Sequence, residues 1–243
     1  MTDESFIQSI LQKGKDAAEK VTSNFSSISE TQLNWKPSTQ SWSMAECLQH
    51  LMISHLAYFP VLKEIGEGNF KMNFWERSSP LTNFWGKTMK NQLQEQVKRK
   101  MKAPRMIQPT KSEFHIVLLD RYQENLEEFL DLISKCNKVD LDKTIITSPL
   151  LSIVTYSLRN AFQFLLQHEH RHINQAIRVK ESESFPNWND SFQRIYVIGN
   201  NIESSEHNEH PNADSWFPGR HYCWFCFLSE RYPGLKKTFL STR

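Results

Sequence analysis

The chain has 243 residues, 39% hydrophobic and 12% aromatic, and its 29 basic and 27 acidic residues leave a net charge of +2. That length is one domain with an extension or two small ones, and the composition excludes a mainly disordered chain. No stretch approaches the roughly 20 apolar residues of a membrane-spanning helix. The acidic start, Met1 to Ser5, differs from the basic start of a secretory leader, and four cysteines without a leader read as reduced thiols. The expectation is a soluble, cytoplasmic protein with no membrane partner.

Glycines number only seven, strand-like alternation is scarce, and helical spacing recurs. Phe6, Ile7, Ile10, Leu11, Ala17, Ala18, Val21, Phe25 and Ile28 step by three and four, which predicts a long amphipathic first helix. A connector from Ser29 to Ser43 carries Trp35, Pro37 and Trp42. Ser43 with Glu46 forms a capping-box pattern that opens a second helix through Cys47, Leu48, Leu51, Met52 and Leu56, which Pro60 is expected to kink or end. Residues 64–111 read as an irregular aromatic cover followed by a basic run. Thr110 with Glu113 repeats the capping pattern and predicts a third helix through Phe114, Leu118, Tyr122, Leu126, Phe129 and Ile133. A last long helix is expected from about Thr155 to Val179. These elements predict an all-α four-helix bundle over residues 1–183. Residues 184–243, with four prolines and many aromatics, form a C-terminal extension whose structure the sequence does not define.

Nine histidines are present. In the last helix, His168 and His172 stand one turn apart on the face that also holds Leu158, Ala161, Leu165 and Ala176. Two neutral imidazoles at this spacing chelate one divalent ion; the plain alternative is a pair of hydrogen-bonded core histidines. His170 is turned about 200° from His168 and is expected at the solvent. On the second helix His50 offers a third nitrogen. His55, about 140° further round, cannot aim at the same point and reads as an ordinary helix residue, as does His115.

The stretch Trp42-Ser43-x-x-Glu46-x-x-x-His50-Leu51, followed on the last helix by His168-x-x-x-His172-x-x-Gln175, resembles the DinB/YfiT-like superfamily of metal-binding four-helix bundles over roughly residues 1–182. The resemblance implies a divalent metal held by His50, His168 and His172, with open positions filled by water. It also implies a metal-dependent enzyme acting on a small molecule, in which the metal activates a thiol or a water, as in thiol S-transferases, with a low-molecular-weight thiol as cosubstrate. A non-catalytic metal-binding bundle, or a degenerate member keeping only the fold, is the alternative.

Three neutral histidines leave the ion its full charge and an exchangeable position, the arrangement of a catalytic site. Zinc is the first expectation, with nickel, iron or manganese also suited to imidazole. Glu46 reads first as the capping residue and second as support for His50. Glu169, about 100° from His168, reads as a surface acid or as an edge of the site. Trp42 is expected to pack at the start of the second helix, and Cys47 as a small buried hydrophobe.

Three further patterns compete. His168-Glu169-x-x-His172 matches the zincin protease motif, but the downstream glycine and third histidine of its extended form are absent. His207, His210, His221, Cys223 and Cys226 have the ligand types of a structural zinc site without a standard spacing. Lys87 to Lys111 carries eight basic residues against Glu95, which reads as a solvated helix face rather than a nucleic-acid surface. A homodimer is compatible with the sequence and nothing in it requires one.

Overall fold

The computed structural model describes residues 3–80, 82 and 105–186. Four long helices form a bundle: α1 (Asp3–Phe25), α3 (Met44–Gly66), α5 (Leu118–Lys135) and α6 (Leu158–Lys180). Two five-residue helices, α2 (Glu30–Asn34) and α4 (Phe74–Ser78), sit in the connections. Two three-residue strands, β1 (Ile145–Thr147) and β2 (Thr155–Ser157), pair antiparallel with Ile146 opposite Tyr156.

Each long helix buries one stripe. On α1 it is Phe6, Ile7, Ile10, Gly14, Ala17, Val21 and Phe25, the three-and-four spacing that drives an amphipathic helix onto a core. Gly14 lets α1 approach α5 closely, because a Cβ there would force the Leu130 side chain to shift.

Inter-helix contacts set the topology. Gln123 on α5 reaches the Ala18 carbonyl and Thr22 on α1, while Gly14 meets Leu130, so α1 and α5 are antiparallel. Lys20 bonds Asn174, and Lys180 bonds the Asn24 carbonyl, so α1 and α6 are parallel. His55 faces Asn125 while Cys136 faces Leu62, so α3 and α5 are parallel. His50 meets His168 while Tyr58 meets Phe164, so α3 and α6 are antiparallel. The principal packing pairs are α3 with α5 and α6, and α1 with the same two. The order is therefore up-down-down-up, with a long crossover from α3 to α5.

Several boundaries differ from expectation. Pro60 lies inside α3, which continues to Gly66 because Leu62 and Ile65 are buried beyond it. The missing proline donor is outweighed by packing on both sides. Ser29 caps α2 within the connector, in a capping box with Gln32. Thr110 does not open a helix: Gln49 engages both its backbone N–H and its hydroxyl, and α5 begins only at Leu118. Residues 155–157 are strand rather than helix, and Ser157 caps α6. Phe185 packs edge-on against Trp35, and the Pro186 carbonyl accepts from Gln32. Most of the basic run, residues 83–104, lies outside the described residues, as does the extension from 187 with its histidines and cysteines.

Candidate metal centre

His50 stands two turns into α3, a helix whose start is fixed by a complete capping box. The Ser43 hydroxyl accepts the Glu46 backbone N–H at 3.1 Å, and a Glu46 carboxylate oxygen accepts the Ser43 N–H at 2.8 Å. The other Glu46 oxygen takes Lys36 at 2.6 Å. Glu46 thus builds the helix end and makes no contact with His50 among these bonds.

The His50 ring is 1% exposed, and its Nδ1–H donates to the Ile107 carbonyl at 2.5 Å. A carbonyl can only accept, so this bond puts the proton on Nδ1 and leaves the Nε2 lone pair free. Nε2 stands 2.9 Å from Nε2 of His168. His172, one turn on, completes a near-equilateral triangle of rings: centroids are 4.8, 4.5 and 4.6 Å apart for the 50–168, 50–172 and 168–172 pairs. One ring nitrogen from each histidine lies within 4.8 Å of the other two. Nitrogens on a tetrahedral zinc with 2.0–2.1 Å bonds stand about 3.3 Å apart, inside this range.

All three imidazoles are held neutral. Burial lowers the His50 pKa, opposed by its bond to Ile107 and by the charge of Glu169. Burial drives His168 well below the ordinary value, reinforced by His172 and His50. His172 falls to about 3, through burial first, then His50 and the Arg171 guanidinium. A neutral imidazole is the form that binds a metal.

One observation tests whether a cation fits. Nδ1 of His172 is buried and has no hydrogen-bond partner among the described residues. Gln175 comes near enough to favour the charged ring slightly, without an ordinary hydrogen bond to Nδ1. Buried polar atoms are nearly always paired, so an unpartnered ring nitrogen in one of three converging imidazoles leaves the group incomplete, as a donor set without its cation would be.

Trp42 roofs this cluster. Its ring stacks on His172 at 5.7 Å and 29°, and tilts over His50 at 5.0 Å. Next to the Ser43 cap, it packs on the second long helix through His50 and also covers His172. Cys47 is buried as a small hydrophobe, and burial pushes its thiol far up, so it is no nucleophile.

Glu169 departs furthest from expectation. It is 1% exposed and points into the core rather than to the surface or the site. His55, expected to be ordinary, is equally buried: its Nε2–H donates to Glu169 at 2.7 Å and its Nδ1–H to Asn125 at 2.9 Å. The Tyr122 hydroxyl donates to the other Glu169 oxygen. The available signal was that Glu169 lies four residues from both Leu165 and Ile173, within the apolar stripe. His115 is exposed and paired with Glu30, while His170, expected at the solvent, is half-buried.

Neither a curated protein nor a solved structure gives a significant match to the chain. A family model described as the DinB superfamily matches residues 15–176, two thirds of the length, including the whole of α3 and both α6 histidines. With its up-down-down-up bundle and its histidine triad, the chain belongs to the DinB superfamily.

Proposed function

We propose that His50, His168 and His172 hold a divalent cation, zinc first and nickel, iron or manganese by the same donor chemistry, and that the protein is a metal-dependent enzyme of small-molecule chemistry. The reaction class is transfer to a low-molecular-weight thiol or hydrolysis. The observation that carries this reading is the convergence of three neutral imidazoles, one of which keeps a buried, unpartnered ring nitrogen.

A bound dication supplies Lewis acidity, lowering the pKa of a thiol or water ligand toward neutrality. The chain's own residues do the rest. The Ile107 carbonyl fixes the His50 tautomer and ring orientation, as partners of ligating histidines commonly do. Trp42 shields the triad from bulk water on one side. Both carboxylate oxygens of Glu169 are engaged in the core, so it does not serve as the general base of a zincin. The cytoplasmic setting belongs to this proposal, in keeping with free, buried Cys47 and Cys136. So does a division into a bundle to residue 183 and a separate extension. Among the described residues no helix is long and apolar enough to cross a membrane.

Elemental analysis of the wild type beside His50→Ala and His168→Ala tests the site. Stoichiometric metal in the wild type, lost in both variants, is expected; metal-free wild type or fully loaded variants overturn the assignment. A panel of thiols with a haloalkane or epoxide then separates thiol transfer from hydrolysis. Loaded protein inert toward every electrophile is the outcome for a binding module without catalysis.

A further inference from the structure

Glu169, His55, Tyr122 and Asn125 form a closed polar cluster in the apolar interior. The Glu169 carboxylate accepts from His55 and from Tyr122, and Asn125 accepts from His55. His55 thus bridges two helices, one ring nitrogen on Asn125 and the other on Glu169. Its ring stacks on Phe129 at 4.3 Å and 8°. All four residues are less than 9% exposed.

For stability alone this is a poor use of the interior. Buried polar groups lose hydration that their mutual hydrogen bonds only partly return, and apolar side chains of similar volume often do as well or better. The neighbours along the same stripes, Leu165, Ile173, Leu126 and Phe129, show that apolar residues fit here.

The position of the cluster gives it another role. Glu169 follows the candidate ligand His168 directly on α6, and His55 follows His50 by five residues, about 7.5 Å along α3. Tyr122 and Asn125 come from α5, which supplies no member of the triad. The bond from Tyr122 to Glu169 crosses the bundle from α5 to α6, a pair outside the principal packing contacts. One carboxylate is thereby tied to α3 and to α5.

We propose that Glu169, His55, Tyr122 and Asn125 are positioning residues: a hydrogen-bonded tie that fixes the register of α3 against α6 and hence the spacing of His50, His168 and His172 around a divalent cation. The proposal rests on the metal reading of the triad. It makes the tie a determinant of cation affinity and coordination geometry, acting through the ligands rather than on the reacting atoms.

The test uses Co2+ as probe, with affinity from chelator competition and geometry from the visible absorption bands. Glu169→Gln keeps the side-chain shape, and Tyr122→Phe deletes one hydroxyl. Leu62→Ala removes buried volume twelve residues, about 18 Å, from His50 and controls for lost stability. Disturbing partners beyond the ligands typically weakens metal binding about 10- to 100-fold, and that loss, with altered band positions or intensities, is expected in both tie variants. Leu62→Ala is expected to lower the melting temperature while leaving Co2+ affinity within about twofold, as distant sites behave independently. Tie variants that bind Co2+ like the wild type, with a superimposable spectrum, overturn the proposal. Should Glu169→Gln lose its helical circular dichroism, Tyr122→Phe decides. Wild type that takes up no Co2+ overturns the metal reading itself, a result distinct from equal binding by all variants.

Discussion

Two groups of polar side chains share α3 and α6, the second drawing also on α5, and they differ in kind. In the triad, three imidazoles face one another, two are partly buried, and one buried nitrogen has no partner. In the cluster of His55, Glu169, Tyr122 and Asn125, every contact has a complementary donor and acceptor and the group is sealed from solvent. The first set leaves a ring nitrogen unpartnered, and the second pairs its ring nitrogens and carboxylate oxygens. Histidine count and burial alone do not separate a ligand from a structural residue; the state of each ring nitrogen does.

The strongest way to break this comparison is to cut each group at one residue and watch stability. Glu169→Ala leaves His55 and the Tyr122 hydroxyl buried without their partner, and breaking a buried pair from one side costs about 3–5 kcal/mol. His172→Ala removes a ring whose Nδ1 bonds nothing, so the metal-free protein is expected to change by only about 1 kcal/mol, the typical cost of a point substitution. Urea denaturation in the presence of a chelator measures both. Equal losses at the two positions mean that the triad is as closed a structural group as the cluster.

Cation binding is expected to reverse the order. Loss of a ligand should exceed the 10- to 100-fold effect of disturbing its surroundings, so His172→Ala should weaken Zn2+ binding by more than about 100-fold. The matching readout is thermal: a ligand at about 100 times its Kd stabilises by about 2.7 kcal/mol, which raises the melting temperature of wild type and not of the variant. A zinc-induced shift that survives His172→Ala places the cation elsewhere.

Much of this was legible beforehand because it rests on local spacing. The apolar stripes of α1, α5 and α6, the capping box at Ser43, and the pairing of His168 with His172 are short-range patterns. What escaped depends on residues distant in the chain. Thr110 to Glu113 has a capping pattern, yet Gln49 captures Thr110 across 61 residues and the helix starts later. The strands Ile145–Thr147 and Thr155–Ser157 are too short to show alternation. The 100° offset from His168 suggests a surface acid or an edge of the site for Glu169, whereas its place between Leu165 and Ile173 puts it inside; the proton donors that make that placement tolerable come from α3 and α5.

Acid sharpens the contrast next. Burial holds the folded-state pKa values of His50, His168 and His172 below 6.5, with His172 at about 3, while an unfolded histidine titrates near 6.5. Between those values the unfolded chain binds protons that the folded triad refuses, so stability falls as the pH drops from about 6.5 toward 3. In chelator, the urea midpoint of wild type should therefore decline through this window, and His172→Ala should decline less steeply. Parallel curves mean that the His172 ring takes up its proton without loss of the fold.

The smallest effect comes from a change that both groups share. Ser43 caps α3, the helix that carries both His50 and His55, through a bond to the Glu46 N–H, so its loss loosens the frame without touching either polar group. Replacing an N-cap serine by alanine costs about 1 kcal/mol. In a chain of this size that lowers the melting temperature by about 2–4 °C. The bond from His50 to Ile107 and the tie from His55 to Glu169 lie beyond the first turn and hold the two rings from outside the helix. Ser43→Ala is therefore expected to melt earlier yet bind Zn2+ within about twofold of wild type, since separated sites act independently. A larger loss of affinity would show that the triad takes its geometry from the end of α3 rather than from the contacts that hold His50 and His55 in the core.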